Sequence, residues 1–229
     1  MGQITIRELE KLDFFEGIPQ DILQNLLNES TVASYKKKEV IFHSRTRTEF
    51  VYFVLSGEVM LYNLTKHGNR KVIFILGKGR LLNQSIVSKK PNALFGEAVC
   101  PMQALKIPEG VFLRLMEQCH ELTYSILREY ERNLWRMGHQ LKNTTGNMQT
   151  ERKIAAKLWK LGRDFGVETE EGVMVDIDLT ITLMADLVGV PRENVSRACK
   201  VLTDRGLIRY SSKRFILTDF DGLADFYKM

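Results

Sequence analysis

Near the C-terminus, apolar and polar positions follow the spacing of two short helices joined by a turn, as in a helix-turn-helix. In the segment Thr180–Ile208, Thr180 or Thr182 can cap a short first helix, and Gly189 permits a tight turn. Pro191 suits the first position of the next helix. At 100° per residue, the apolar residues of this second helix share one arc, and they are Val195, Ala198, Cys199 and Leu202. We therefore predict a helix-turn-helix whose second helix buries this arc.

The opposite arc of the second helix is polar. It carries the charged and hydroxyl side chains of Arg192, Glu193, Ser196, Arg197 and Lys200. Arginine can donate two hydrogen bonds to guanine, a carboxylate can accept one from cytosine, and serine can bond to several bases. This chemistry predicts direct contact with DNA, and we add Thr180 and Thr182 to the candidate DNA contacts. A solvated amphipathic helix with no ligand is the alternative.

The residues after this helix indicate a wing. Gly206 ends the helix, and Arg209–Leu217 is typical of two short strands around a polar turn. Between Pro191 and Arg214, seven basic and two acidic residues give a local charge of +5. The basic residues are Arg192, Arg197, Lys200, Arg205, Arg209, Lys213 and Arg214. We expect this patch to face phosphate groups.

Between residues 36 and 107 the pattern changes to short apolar runs separated by turns that contain glycine. The runs, which are rich in Val, Ile and Phe, are Glu39–Phe42, Phe50–Leu55, Glu58–Tyr62 and Lys71–Leu76. Many short, closely spaced strands predict a barrel or a roll. A cavity for a small molecule is the commonest reason to attach such a body to a DNA-binding domain.

A long helical pattern, from about His120 to Gln149, connects these two parts. Its apolar residues follow steps of three and four, as in a coiled coil, and they include Leu127, Tyr130, Leu134, Met137 and Leu141. We predict that two copies pair along this seam as a homodimer, and a helix packed on its own domain is the alternative. Poor helix formers at residues 143–147 predict a hinge before the helix resumes at Glu151.

Together these patterns predict an α+β chain with three parts. A double-stranded β-roll that senses an effector covers residues 1–119, a dimerisation helix and hinge cover 120–149, and a winged helix-turn-helix covers 150–229. The length of 229 residues suffices for two domains, and the net charge of +5 permits a polyanion partner. Because no apolar run could span a bilayer and the N-terminus lacks an export signal, we expect a cytoplasmic protein without membrane contact.

Three motifs resemble one family across nearly the whole chain. Phe15–Pro19 resembles the entry helix of this family, Tyr52–Val59 its most recognisable strand and turn, and Pro191–Arg197 its recognition helix. The chain is thus similar to the bacterial Crp/Fnr transcription regulators, which combine a cyclic-nucleotide-binding-like β-roll, a dimerisation helix and a winged helix-turn-helix. The resemblance implies that double-stranded DNA is a partner and, if the protein is an activator, that RNA polymerase is another.

Carried over to this chain, the resemblance makes Glu193, Ser196 and Arg197 the residues that read bases, with Arg192 near a base or a phosphate. The family branches that share these residues read half-sites containing TGA. The resemblance therefore implies a palindrome of TGA and TCA arms about one helical turn apart, because two paired recognition helices must enter successive major grooves.

The resemblance is weaker at the effector site, because a phosphate clamp is missing. The cyclic-nucleotide binders of the family carry a Gly-Glu pair and an Arg-Ser or Arg-Thr pair, where this chain has Leu-Asn-Gln-Ser at 82–85 and Ala-Leu-Phe-Gly at 93–96. A buried phosphodiester without its guanidinium partner would lose a strong charge-assisted interaction. We therefore do not expect cyclic AMP as an effector.

Other cofactors also lack matching residues. An iron–sulfur cluster of the Fnr kind needs thiolates mostly near the N-terminus, but the first cysteine is Cys100. Haem needs axial ligands, and the four histidines lie in no partner motif. No His-x-His pair, nucleophile–base pair or phosphate-binding glycine loop is present. We expect no cofactor, no metal and no enzymatic activity.

The control of the protein remains open between two interpretations. In the first, a small organic effector binds between the roll and the long helix and reorients the DNA-binding domains. The candidate pocket residues are Asn83, Gln84, Phe95, Trp135, Arg136 and His139. In the second, Trp135 and Phe95 fill the old nucleotide site, and abundance alone controls activity. A different function class also stands, namely a ligand-binding protein whose basic C-terminal domain contacts a protein or a polyanion without sequence specificity.

Overall fold

The computed structural model describes residues 4–144 and 148–228, without the side chains of 142–144. The chain forms two compact units, one from Met1–Asn63 and Ile73–Gly138, the other from Leu64–Val72 and His139–Met229. No helix in the described part of the chain has both the length and the apolar character needed to cross a membrane. The domain boundaries expected at 119/120 and 149/150 stay predictions.

Short helices precede the strands of the first unit. They are α1 (Ile6–Glu10), a 3₁₀ helix (Asp13–Phe15) and α2 (Gln20–Asn28). The prediction of a helix at Phe15–Pro19 is wrong. Gly17 adopts a φ of +77° and Pro19 has extended backbone angles, so the chain turns here and the helix begins only at Gln20. A left-handed φ suits glycine, which has no Cβ to clash.

Seven strands then form the predicted roll. They are β1 (Thr31–Tyr35), β2 (Val40–Phe42), β3 (Phe50–Ser56), β4 (Val59–Leu64), β5 (Arg70–Leu76), β6 (Phe95–Ala98) and β7 (Met102–Pro108). One sheet has the order β1-β7-β3 and the other β2-β6-β4-β5. The four predicted runs are all strands, which confirms the prediction from apolar runs.

Two apolar clusters hold the first unit together. One joins the N-terminal helices to β3, β7 and the following helices, with Phe15, Phe53 and Phe112 among its fully buried side chains. The other fills the roll between its sheets and includes Phe42 and Phe74. Full burial of such side chains is worth about 1.5–3 kcal/mol each.

Two helices follow β7, namely α3 (Glu109–Gln118) and α4 (His120–Thr144). The predicted long helix starts at His120, as expected, but it is shorter than predicted. Met148 and Gln149 are not helical, and the next helix begins at Thr150. The predicted hinge at 143–147 overlaps the end of α4, and its residues 145–147 lie outside the described residues.

The second unit contains the predicted helix-turn-helix and wing. Its elements are α5 (Thr150–Phe165), β8 (Gly166–Thr169), β9 (Gly172–Val175), α6 (Ile181–Val188), α7 (Arg192–Asp204), β10 (Arg209–Ser211), β11 (Arg214–Leu217) and α8 (Phe220–Lys228). Its sheet has the order β10-β11-β9-β8. α7 packs against α5 and α6, and the buried side chains of this unit include Ile154, Leu158 and Phe215.

Candidate nucleic-acid interface and exposed helix surface

The start of α6 and the turn after it follow from local chemistry. Thr180 is the N-cap, because its hydroxyl accepts a hydrogen bond from the Leu183 N–H at 3.0 Å. Thr182, the alternative cap, lies inside the helix and is exposed. Gly189 has a φ of +75°, and its N–H donates to the Ala185 carbonyl at 2.8 Å. This left-handed glycine ends α6 and sets the tight turn.

Pro191 lies one position earlier than predicted. Its ψ of 146° is not helical, so it caps α7 rather than occupying the first helical position, and α7 begins at Arg192. The Pro191 carbonyl accepts hydrogen bonds from the N–H groups of Asn194 and Val195 at 3.0 and 3.2 Å. The proline therefore still directs the chain into the helix.

The two arcs of α7 are separated as the periodicity predicts. The five polar residues of the predicted arc, Arg192, Glu193, Ser196, Arg197 and Lys200, are all exposed. The four apolar residues, Val195, Ala198, Cys199 and Leu202, are buried. Burial raises the pKa of Cys199 to about 11, so this thiol is protonated and unreactive at neutral pH. One face of α7 thus packs and the other is open to a partner.

Two of these polar side chains differ in their own contacts. The guanidinium of Arg197 donates a hydrogen bond from Nη2 to Oδ1 of Asn194 at 2.5 Å. Within the described ranges, no ion pair involves the Glu193 carboxylate. Both charged groups therefore keep donors or acceptors that a nucleic acid could use.

The wing is a tight hairpin formed by β10 and β11. Its turn residues Ser212 and Lys213 have φ values of 51° and 63°, a pair of left-handed conformations that suits the twist of a two-residue hairpin. The Lys213 carbonyl accepts a hydrogen bond from the Leu179 N–H at 2.9 Å. The turn is thereby attached to the residue before the Thr180 cap.

The expectation that this basic patch faces phosphates stays a prediction, but two of its seven basic residues are paired with acidic residues of the same unit. Arg209 forms an ion pair with Glu171, and Arg214 forms ion pairs with Asp176 and, at 3.9 Å, with Asp178. These acidic residues lie outside the segment from 191 to 214, so a local charge count could not include them. The positive charge available to DNA is accordingly smaller than +5.

The roll residues predicted for an effector pocket have structural contacts of their own. Asn83 is buried, and its Oδ1 accepts from the Tyr52 N–H at 2.8 Å while its Nδ2 donates to the Phe50 carbonyl at 2.9 Å. Oε1 of Gln84 accepts from the N–H groups of Ala93 and Leu94 at 3.0 and 3.1 Å. These amides brace the backbone of the roll.

Aromatic rings occupy the neighbouring space. Phe95 stacks on Tyr62, with ring centroids 5.1 Å apart. Phe74 is buried within the roll, and the Arg136 guanidinium lies 5.5 Å from the centre of its ring. A Cβ on Gly96 would lie only 2.7 Å from the Phe42 ring, so the roll is tightly filled at this strand as well.

The predicted pocket residues on α4 do not share one direction. Arg136 faces the roll, whereas Trp135 is 59% exposed and His139 is also exposed. Neighbouring residues of a helix point about 100° apart, which places Trp135 and Arg136 on different sides. Trp135 therefore does not lie beside Arg136 on the side of α4 that faces the roll.

The outward side of α4 is apolar. Six of the ten large hydrophobic residues that are exposed in the described chain belong to this helix, namely Tyr124, Leu127, Leu134, Trp135, Met137 and Leu141. Four members of the predicted seam are among them. Tyr130 is the exception, because it is half-buried against the apolar cluster of its own unit. We call these six exposed residues the α4 stripe.

A buried ionic cluster on the inward side of α4 was not found from the sequence. Glu129 is 4% exposed, and its Oε2 lies 3.4 Å from Nη1 of Arg80 and 3.8 Å from Nη1 of Arg132. Arg80 also pairs with Asp13 at 3.4 Å. Oε1 of Glu129 has no hydrogen-bond partner in the described part of the chain. Burial raises the pKa of Glu129, although Arg80 and Arg136 act in the opposite direction.

Glu129→Gln should stabilise the fold at pH 7.5, and the gain should shrink as the pH falls towards 4.5. The raised pKa means that Glu129 binds a proton more tightly in the folded state than in the unfolded state. Ionisation of Glu129 therefore lowers the free energy of unfolding as the pH rises from the unfolded-state pKa through the folded-state pKa. Urea unfolding of both proteins at several pH values measures the effect. Glu131→Gln, which removes an exposed carboxylate two residues further along α4, is the control. A pH-independent loss of stability in Glu129→Gln would show that the arginine pairs outweigh the burial cost.

Two protein-family models match the chain, the first over the β-roll and the second over the helix-turn-helix. A cyclic nucleotide-binding domain matches residues 32–119, and a Crp-like helix-turn-helix domain matches residues 152–226. The chain belongs to the Crp/Fnr family of transcription regulators. This membership confirms the resemblance that the three motifs indicated. It also confirms the predicted fold of this Crp/Fnr protein, in which a long helix joins a β-roll to a helix-turn-helix.

Curated relatives of this Crp/Fnr protein are transcription regulators. The CRP-like cAMP-activated global transcriptional regulator of Mycobacterium tuberculosis is 22% identical over 217 residues, which cover 94% of this chain and 96% of the relative. The global nitrogen regulator of Nostoc sp. is 23% identical over 186 residues, which cover 80% and 83%. Regulators of this family bind DNA and are not enzymes.

Solved structures show the same fold. FixK2 from Bradyrhizobium japonicum superposes with a TM-score of 0.74 at 20% identity, covering 86% of this chain and 96% of that chain. A CooA mutant from Carboxydothermus hydrogenoformans superposes with a TM-score of 0.77 at 17% identity, covering 99% and 97%. At these identities the likeness concerns the architecture of the Crp/Fnr fold alone.

Proposed function

We propose that this Crp/Fnr regulator reads a DNA palindrome with TGA and TCA half-sites through α7. The observation that supports this most is the exposed polar arc of Arg192, Glu193, Ser196, Arg197 and Lys200 opposite a buried apolar arc. Guanidinium, carboxylate and hydroxyl groups match the donor and acceptor pattern that bases present in the major groove. Thr180 and Thr182 lie at the start of α6 and add candidate contacts to the DNA backbone.

We propose further that the protein is a homodimer paired along the α4 stripe. Residues of the stripe are more than half exposed, from 51% for Met137 to 70% for Leu134. A soluble helix seldom leaves such a surface to water, and contiguous exposed apolar patches mark interaction sites. A second copy of the same helix supplies a complementary apolar stripe in a two-fold arrangement, and a two-fold dimer supplies one recognition helix for each half of a palindrome.

For control of the protein, we favour abundance over a bound effector. The two places where the nucleotide binders of the family hold ribose and phosphate are here bridged to each other by Gln84, whose Oε1 bonds to the N–H groups of Ala93 and Leu94. Phe74 belongs to the apolar cluster inside the roll, against which Leu94 packs, and Arg136 lies over the Phe74 ring. A nucleotide would have to displace both interactions, and the segments 82–85 and 93–96 contain no Arg-Ser or Arg-Thr pair to hold its phosphate.

Cyclic AMP at about 1 mM should therefore leave the melting temperature unchanged. Ligands that bind only the folded state stabilise it by roughly 2.7 kcal/mol at one hundred times their dissociation constant, so tight binding would be obvious. Differential scanning fluorimetry with cyclic AMP and cyclic GMP, alongside non-cyclic AMP as the control, measures this. A rise in melting temperature with one cyclic nucleotide alone would contradict the proposal.

The experiment that tests the proposed function is selection of bound duplexes from a random DNA pool at near-physiological salt. The purified protein is used alone and with a mixed metabolite library. Enrichment of a TGA/TCA palindrome by the protein alone supports sequence-specific reading and control by abundance. Enrichment only with metabolites supports sequence-specific reading but contradicts control by abundance alone. Similar binding of all duplexes, with steep salt dependence, would favour an unspecific polyanion-binding module instead.

A further inference from the structure

Asn194 lies on α7 between two of the proposed base-reading residues and contacts one of them. Its Oδ1 accepts the hydrogen bond from Nη2 of Arg197 at 2.5 Å. Asn194 is half-buried at the edge of the packed face, whereas Arg197 is exposed. The half-buried side chain therefore holds the exposed one, and this hydrogen bond orients the guanidinium of Arg197 in the absence of DNA.

Glu193 could compete for the same guanidinium. It precedes Arg197 by four residues, and a glutamate four positions before a basic residue forms the favoured ion pair on a helix surface. In the described structure this pair is absent, and Arg197 bonds to the neutral amide of Asn194 instead. A pair between Glu193 and Arg197 would satisfy both charges internally and would have to break before either group could meet a base.

We propose that Asn194 is a positioning residue that keeps Arg197 apart from Glu193, so that both side chains remain available for reading bases. A guanidinium has five N–H donors, and a single bond to an amide leaves four of them and the full positive charge. Because Asn194 is neutral, it orients Arg197 without neutralising it, which an aspartate here would do. The inference rests on the proposed function, in which Glu193 and Arg197 contact bases.

The test compares four proteins: wild type, Asn194→Ala, Arg197→Ala and the double variant Asn194→Ala/Glu193→Gln. Each is measured by fluorescence anisotropy on the selected palindrome and on duplexes with single base-pair changes. Alanine is a better helix former than asparagine, so Asn194→Ala should leave α7 folded, which circular dichroism confirms. The base pair read by Arg197 is the one at which Arg197→Ala loses discrimination.

Asn194→Ala should reduce discrimination at this same base pair by about five- to tenfold, as expected for coupled neighbouring side chains. Adding Glu193→Gln removes the competing carboxylate and should restore discrimination at the base pair of Arg197, although it sacrifices the contact of Glu193 itself. This rescue is specific to the positioning role, since a merely structural defect in α7 would not be repaired by a change at residue 193.

Other outcomes would overturn the inference. An equal loss of affinity for every duplex in Asn194→Ala would make Asn194 a phosphate contact, and lost discrimination at a different base pair would make it a base reader itself. If Arg197→Ala loses discrimination and Asn194→Ala keeps it, only the positioning role fails. If Arg197→Ala keeps full discrimination, the proposed base reading fails and the positioning role fails with it.

Discussion

Leu134→Glu should convert this regulator into monomers and lower its affinity for a palindromic site by about a hundredfold or more. Leu134 is the most exposed member of the α4 stripe, at 70%, and the proposed pairing would bury it against a second copy. Burying two unpaired carboxylates in that seam costs far more than the stripe gains. A monomer then holds only one half-site, and the advantage of linked binding, roughly 10²- to 10⁴-fold, is lost.

Sedimentation velocity gives the mass of this variant, and anisotropy titration gives its affinity. Val87→Glu is the matched control, because Val87 is 66% exposed on the loop between β5 and β6 of the roll and receives the same chemical change away from α4. It should remain dimeric and bind as the wild type does. A dimeric Leu134→Glu with unchanged affinity would show that the stripe is not the seam.

Arg197→Ala should relax the choice of sequence at a single G·C pair of each half-site. A guanidinium that donates two bonds to guanine contributes about 1–3 kcal/mol of discrimination, or roughly 5- to 150-fold. The loss should be confined to that pair, because the other exposed side chains of α7 are unchanged. Competition between the selected duplex and single-substitution duplexes at constant salt measures it.

Lys213→Ala is the control for this experiment. Lys213 is exposed at the wing turn and, among the residues that the structure describes, it has no ion pair of the kind that Arg209 and Arg214 form. It should weaken binding to all duplexes equally and lower the slope of log affinity against log salt by about 1. If Arg197→Ala instead behaved like this control, Arg197 would contact phosphate rather than a base.

The sequence predicted the parts of the structure that depend on local spacing. The two arcs of α7, the left-handed Gly189 and the wing strands all follow from neighbours within one or two helical turns. Tyr130 shows the limit of this reasoning. It satisfies the spacing of the seam, but it lies about 60° from Leu127 around the helix, and its bulk packs on the apolar cluster of its own unit.

Contacts between distant positions could not be predicted. Asn83 looked available for a ligand, yet its amide bonds to backbone groups of Phe50 and Tyr52, more than thirty residues earlier. The basic wing is partly neutralised by residues 171, 176 and 178, which a count over one segment misses. β8 gave no signal because its four residues are all exposed and do not alternate between apolar and polar.

The hydrogen bond from the Leu179 N–H to the Lys213 carbonyl involves only backbone atoms. The link between the wing turn and the start of the helix-turn-helix therefore uses no side-chain atoms of residues 212 and 213. Under the proposed base reading, substitutions on the exposed arc of α7 would change the preferred DNA sequence and leave this backbone link in place. A change of target site would then require new side chains on α7 and no change in the backbone hydrogen bond that holds the hairpin.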